Sequence, residues 1–108
     1  MKIFHRFNEL IEAHYREHWP LSRYAGGIDV TEARLNDVCR RIADLPSKRL
    51  VMERLMQEAK RLLLFTGSMA NEICYQLGFK DPAYFSRSFQ RNAQMTPGEY
   101  RLRQTGLR

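Results

Sequence analysis

The chain has 108 residues, enough for a single domain with a small core, and its 44% hydrophobic and 28% charged content is a globular balance. No apolar run approaches the ~18 residues that span a bilayer, and the opening MKIFHRFNELIEAHYREH mixes acids and bases into its apolar positions, so this stretch is not expected to be a secretory signal. The net charge of +6 lies wholly in residues 47–108, with eleven bases against five acids, whereas residues 1–46 hold seven of each; a basic half of this kind suits a polyanionic partner.

Helical periods dominate and nothing reads as a strand, so the expected fold is all-α with seven helices. Residues 3–17 place Phe4, Phe7, Leu10, Ile11 and His14 on one stripe. Pro20 interrupts the chain, and a short helix is expected around Ser22–Gly26. Thr31 reads as the N-cap of a third helix whose inner stripe is Leu35, Val38, Cys39 and Ile42, with Pro46 closing it. Ser47 is expected to cap the longest helix, 47–65, and Gly67 follows its end. Ser68 then caps a helix to Leu77 that packs Met69, Ile73 and Leu77. Gly78 stands where a left-handed residue ends it. Asp81 with Pro82, and Thr96 with Pro97, repeat one start signal, a cap followed by proline in the first turn. Cys39 and Cys74 fall on apolar faces and read as reduced core residues, in keeping with a cytoplasmic protein.

An internal echo recurs at a spacing of 49–50 residues: Ala25 with Cys74, Val30 with Phe79, and Leu35 and Cys39 with Phe85 and Phe89. Short helix, turn, second helix is the helix-turn-helix pattern, here present twice. The expected division is one DNA-binding module over 1–108: a first subdomain at 3–46, a linker helix at 47–65 and a second subdomain at 66–104. In such a unit the second helix enters the major groove, its inner side packed on the first helix and its outer side meeting base edges. The outer side must therefore be small and carry a few donors and acceptors. Ala83, Ser86, Arg87 and Gln90 are the base-contact candidates of the second unit, with Arg87 placed for a bidentate contact to guanine. Ala33, Asn36, Asp37 and Arg40 are those of the first; Asn36 suits adenine, whereas Asp37 is better explained by pairing with Arg34, Arg40 or Arg41. Phosphate contacts are expected from Arg41, Lys48, Arg49, Lys80, Ser86 and Arg91, with backbone donors at the helix starts by Thr31 and Asp81. A linker of about 18 residues is roughly 27 Å long, against roughly 34 Å between successive major grooves on one face. Such a rod would let both helices reach the same side of the duplex.

The stretch EAKRLLLFTGSMANEICYQLGFKDPAYFSRSFQRNAQMTPGEYR resembles the AraC/XylS family of bacterial transcription regulators. Ala59, Leu62, Leu63, Glu72, Ile73, Gly78, Phe79, Tyr84, Phe85, Arg87, Phe89, Pro97, Tyr100 and Arg101 carry the likeness, and its wording is similar to regulators of 4-hydroxyphenylacetate catabolism. The resemblance implies two helix-turn-helix units joined by one helix and a transcription regulator, expected to be an activator, that binds double-stranded operator DNA and engages RNA polymerase. It implies no cofactor and no enzyme activity. It also implies a monomer in these residues, either a C-terminal fragment, the expected case, with dimerisation and effector binding in a separate N-terminal domain, or a stand-alone member. The chain departs from the family at Asp29 and Gln94, which stand at usual glycine positions, at Cys39, where phenylalanine is common, and at Leu55, often arginine.

Two other readings compete. A helical protein-interaction module would use Glu9, Glu12 and Glu17 of the first helix toward a protein such as polymerase. Separately, HYREH matches the H-x-x-E-H of inverted zinc peptidases, with His14 and His18 one helical turn apart and Glu17 as base. No third ligand is evident, so no metal site is expected.

Overall fold

The computed structural model describes residues 2–105. Its seven α-helices are α1 (Lys2–His14), α2 (Leu21–Gly27), α3 (Glu32–Ala43), α4 (Ser47–Phe65), α5 (Ala70–Gln76), α6 (Pro82–Ala93) and α7 (Pro97–Thr105), with a 3-10 turn at Tyr15–Glu17 and no strand among the described residues. The chain divides into two compact units, Met1–Arg54 and Leu55–Arg108, the boundary falling inside α4.

In the first unit Phe7, Ile11 and Tyr15 are buried with Tyr24, Ala25 and Ile28 of the α2 region and with Leu35, Val38 and Cys39 of α3. Phe7 meets Tyr24 edge to face at 5.4 Å, a favoured aromatic geometry. Arg54 ties α4 to α1 through two hydrogen bonds to Glu12, at 2.7 and 3.0 Å, and lies 4.4 Å from the centroid of the Tyr15 ring. Ile42, expected inside, is 46% exposed. It lies in the last turn of α3, one residue before its end.

The 3-10 turn corrects the reading of HYREH. The first α-helix stops at His14, and His18 closes the turn in a left-handed conformation at φ 54°. The two histidines therefore do not share a helical face. His14 Nδ1 lies 2.6 Å from Glu17 Oε2, while its ring stacks on Trp19 at 4.0 Å. Glu17 also accepts from Trp19 Nε1 at 3.0 Å, and the His14 bond, then the Trp19 bond, hold its carboxyl below the usual range. No group of three or more His, Cys, Asp or Glu among the described residues is arranged to hold a metal.

In the second unit the apolar core holds Leu55, Met56, Ala59, Leu62 and Leu63 of α4, Ile73 and Cys74 of α5, Leu77, Phe79, and Phe85 and Phe89 of α6. Aromatic rings run through it from Phe79 to Phe85 (5.1 Å), Phe89 (6.2 Å) and Tyr100 (5.6 Å). Burying a phenylalanine contributes about 1.5–3 kcal/mol, so Phe85 and Phe89 hold the inner side of α6 firmly. Arg101 of α7 donates to the carbonyl oxygens of Leu63 (2.9 Å), Thr66 (3.2 Å) and Ser68 (2.7 Å). It thereby satisfies acceptors that the end of α4 and the following loop would leave open. Met69 is not part of the core: it is 68% exposed at the N-cap of α5, one residue after the expected cap Ser68. That helix start is secured by Glu72, which accepts from the Met69 amide at 2.7 Å.

The internal echo holds in three dimensions. Val30 N–H donates to Ala25 O and Phe79 N–H to Cys74 O, each at 3.1 Å. The residues before them, Asp29 and Gly78, are both left-handed, at φ 56° and 83°. Asp44 and Gln94, fifty positions apart, close α3 and α6 in the left-handed region at φ 59° and 64°. Three expected caps are in place: Thr31 Oγ1 accepts from Arg34 N, Asp81 Oδ1 from Ala83 N, and Thr96 Oγ1 from Glu99 N while Glu99 Oε1 accepts from Thr96 N. Ser47 is different. It is the first residue of α4 and fully buried, while the Pro46 carbonyl begins the helix by accepting from Arg49 and Leu50.

Candidate nucleic-acid interface

The second helix of each unit presents an outer face opposite its buried stripe. On α6 the buried residues are Phe85, Ser88 and Phe89, and the outer positions Ala83, Arg87, Gln90 and Arg91 are exposed with Ser86 half-buried. The asymmetry follows from the sequence: aromatic residues four apart lock one side, and small, polar or cationic residues fill the other. No acidic residue lies between Pro82 and Ala93. Among the described residues no ion pair or side-chain hydrogen bond engages Arg87, Gln90 or the Arg91 guanidinium. The guanidinium of Arg87 keeps its planar fork of donors free, which is the chemistry a guanine edge accepts. Lys80 is exposed in the turn before α6.

The corresponding face of α3 is built otherwise. Ala33, Asp37, Arg40 and Arg41 are exposed and Asn36 is half-buried. Asn36 Oδ1 accepts from both the backbone N–H of Ser47, at 2.9 Å, and the Ser47 hydroxyl. Reading adenine takes the amide oxygen as acceptor and the amide nitrogen as donor, and the oxygen is occupied. Asn36 instead ties α3 to the start of α4. Asp37 pairs with Arg41 at 2.9 Å and with Arg34 at 3.7 Å, the arginine pairing its position suggested. Arg41, expected at a phosphate, is thus held by a carboxylate of its own helix. Lys48 and Arg49 are exposed in the first turn of α4.

Both cysteines are buried and free, and burial raises their thiols, that of Cys39 to about 11. They are packing residues without nucleophilic character. Sequence reasoning missed the role of Arg101 and the pair in which the exposed Arg61 donates to the buried Glu58 at 2.9 and 2.6 Å. The second had a signal, an acid and an arginine three apart on one helix. The first had none, because its partners lie 33 to 38 residues away.

Two helix-turn-helix units, each with a second helix whose outer side is exposed, define a DNA-binding class of protein. The helix-turn-helix domain family matches residues 24–103, and the chain belongs to it, in the AraC type. The lactose operon transcription activator of Staphylococcus xylosus is 26% identical over 93 residues, which is 86% of this chain and 33% of that protein. This chain therefore spans about a third of the length of that relative. Among solved structures, the C-terminal domain of the two-component response regulator yesN from Fusobacterium nucleatum is 28% identical with a TM-score of 0.86, covering 94% of this chain and 99% of that one. The DNA-binding domain of AdpA, a global transcriptional factor solved in complex with a target DNA, shares the fold at 16% identity and a TM-score of 0.81, over 95% of this chain and 98% of that one.

Proposed function

We propose that this chain is the operator-reading module of a transcription activator and that α6 carries most of its base recognition. The observation that supports this above all others is the exposed, unpaired Arg87, carried on a helix whose opposite side is buried through Phe85 and Phe89. Ala83, Ser86 and Gln90 complete the base-facing set, and Lys80 and Arg91 flank it for phosphates. The helix α3 presents Ala33 and Arg40 outward as a second, weaker reader, and Lys48 and Arg49, exposed in the first turn of α4, suit phosphates. The module acts as a monomer; if it is part of a longer protein, dimerisation and effector binding lie outside these residues.

The test is selection of duplexes from a random library, followed by titration of the parent and of Arg87→Ala. The variant is expected to lose about 1–3 kcal/mol on the selected site and to relax its choice at one base pair. Equal weakening on every duplex would instead make Arg87 a phosphate contact.

Activation needs a contact with RNA polymerase as well as with DNA. Phe65 and Met69, at the end of α4 and the start of α5, are large, apolar and 76% and 68% exposed, and they favour this second activity. A Phe65→Ala, Met69→Ala double variant is expected to bind the operator as before and to lose transcription in a purified system. Unchanged transcription would remove these residues from that role.

A further inference from the structure

The two reading helices differ most at one register position. Fifty residues separate Leu35 from Phe85, Cys39 from Phe89 and Asp44 from Gln94, and each pair shares its burial or its backbone conformation. The same offset places Asp37 opposite Arg87, Ala33 opposite Ala83 and Arg41 opposite Arg91. Where α6 presents an unpaired guanidinium, α3 presents a carboxylate that is 49% exposed and gathers Arg41 at 2.9 Å and Arg34 at 3.7 Å.

We propose that Asp37 is the negative determinant of the first reader: it withholds Arg41 and Arg34 from the phosphates and bars acceptor-rich base edges from α3, leaving sequence choice to α6. The reading rests on DNA binding through both helices. Guanine offers O6 and N7 to the major groove and thymine O4, all acceptors. A carboxylate is an acceptor only, so it finds no donor there. Exposed ion pairs are individually weak, and a phosphate could draw either arginine away. The carboxylate charge would then remain, unneutralised, beside the DNA backbone. The cost of α3 entering the groove is therefore met on either path, by lost phosphate contacts or by repulsion. Asn36 adds to the same outcome, since its oxygen is committed to Ser47 and adds no base reading.

The experiment titrates the parent, Asp37→Asn, Arg41→Ala and the double variant on the selected duplex and on unrelated duplexes, from 50 to 200 mM salt. All substituted side chains are at the surface of α3, and unchanged helical circular dichroism verifies folding. Asp37→Asn is expected to tighten binding to both duplexes by roughly tenfold at the low-salt end, with a log–log salt slope steeper by up to about 2, the two cations released. Arg41→Ala alone is expected to leave affinity and slope close to the parent, yet to remove about half of the gain when combined with Asp37→Asn. Two results overturn the inference. Weaker binding of Asp37→Asn to the selected duplex, with lost preference for cytosine at one position, would make Asp37 a base reader. Unchanged affinity and slope would make it a bystander. A parent that binds the selected and unrelated duplexes equally would instead refute the operator-reading function itself, and this inference with it.

Discussion

Ser88 lies on the buried side of α6 with Phe85 and Phe89, 4% exposed, and its hydroxyl has no hydrogen-bond partner among the described residues. Its counterpart fifty positions earlier is Val38, fully buried and apolar. A buried hydroxyl without a partner costs about 1–3 kcal/mol, so Ser88→Ala is expected to stabilise the protein by about 1 kcal/mol. Thermal unfolding would register this as a midpoint several degrees higher, and a lower midpoint would show that the hydroxyl has a partner after all. Arg101 is the opposite case. Its guanidinium serves three backbone carbonyls, and hydrogen bonds from a charged donor contribute about 1.5–3 kcal/mol. Arg101→Ala is expected to cost about 2 kcal/mol in urea unfolding, whereas substitution of the unpaired Arg87 should leave the midpoint where it is. Those two arginines look alike in composition and differ in everything that surrounds them.

Among the elements, α7 offers a pH-dependent start. Hydrogen bonds from the backbone and side chain of Thr96 hold the Glu99 carboxyl below its ordinary value. A carboxyl whose pKa is lowered in the folded state adds stability above its unfolded pKa and loses it as pH falls through the folded one. Stability should therefore decline below about pH 4.5, and Glu99→Gln should flatten that part of the acid limb in chemical denaturation. A limb of unchanged steepness would show that other carboxyls dominate. The end of α6 makes a second case. Gln94 is left-handed at φ 64°, a conformation that costs a residue with a Cβ roughly 1–2 kcal/mol and glycine almost nothing. Gln94→Gly is expected to be stabilising in spite of the greater freedom it gives the unfolded chain. The helix boundaries were legible because caps, prolines and left-handed turn residues act on neighbours one to four positions away. Ser68 and Ser47 were misjudged where a local signal met competition. Glu72 secures the helix one residue later, and Ser47 is drawn into the interior by Asn36.

At the scale of the whole molecule, charge decides how tightly DNA is held. The net +6 belongs to residues 47–108, and in the first unit the arginines flanking Asp37 are further offset. A complex resting on about six phosphate contacts is expected to lose roughly a thousandfold in affinity between 50 and 200 mM salt. Charge neutralisation at Lys48, Arg49, Lys80 or Arg91 should each reduce that salt slope by about 1 with little change in base preference. A slope that ignores these lysines and arginines would place the polyanion elsewhere on the surface.

Periodicity and turn chemistry alone determined that the chain is helical, that its helices pair into two related units, and that α6 keeps a small, cationic side away from its phenylalanines. These are properties of residues spaced by one or two turns, and the helix period translates them directly into faces. The tertiary structure decided which polar side chains remain available to a ligand. Asn36 is spent on Ser47, eleven positions on, and Arg101 on carbonyls up to 38 positions back, while Arg87 is left unengaged. A hydrogen bond joins whatever the packing of hydrophobic faces brings within about 3 Å, and that distance is set only once the helices have met.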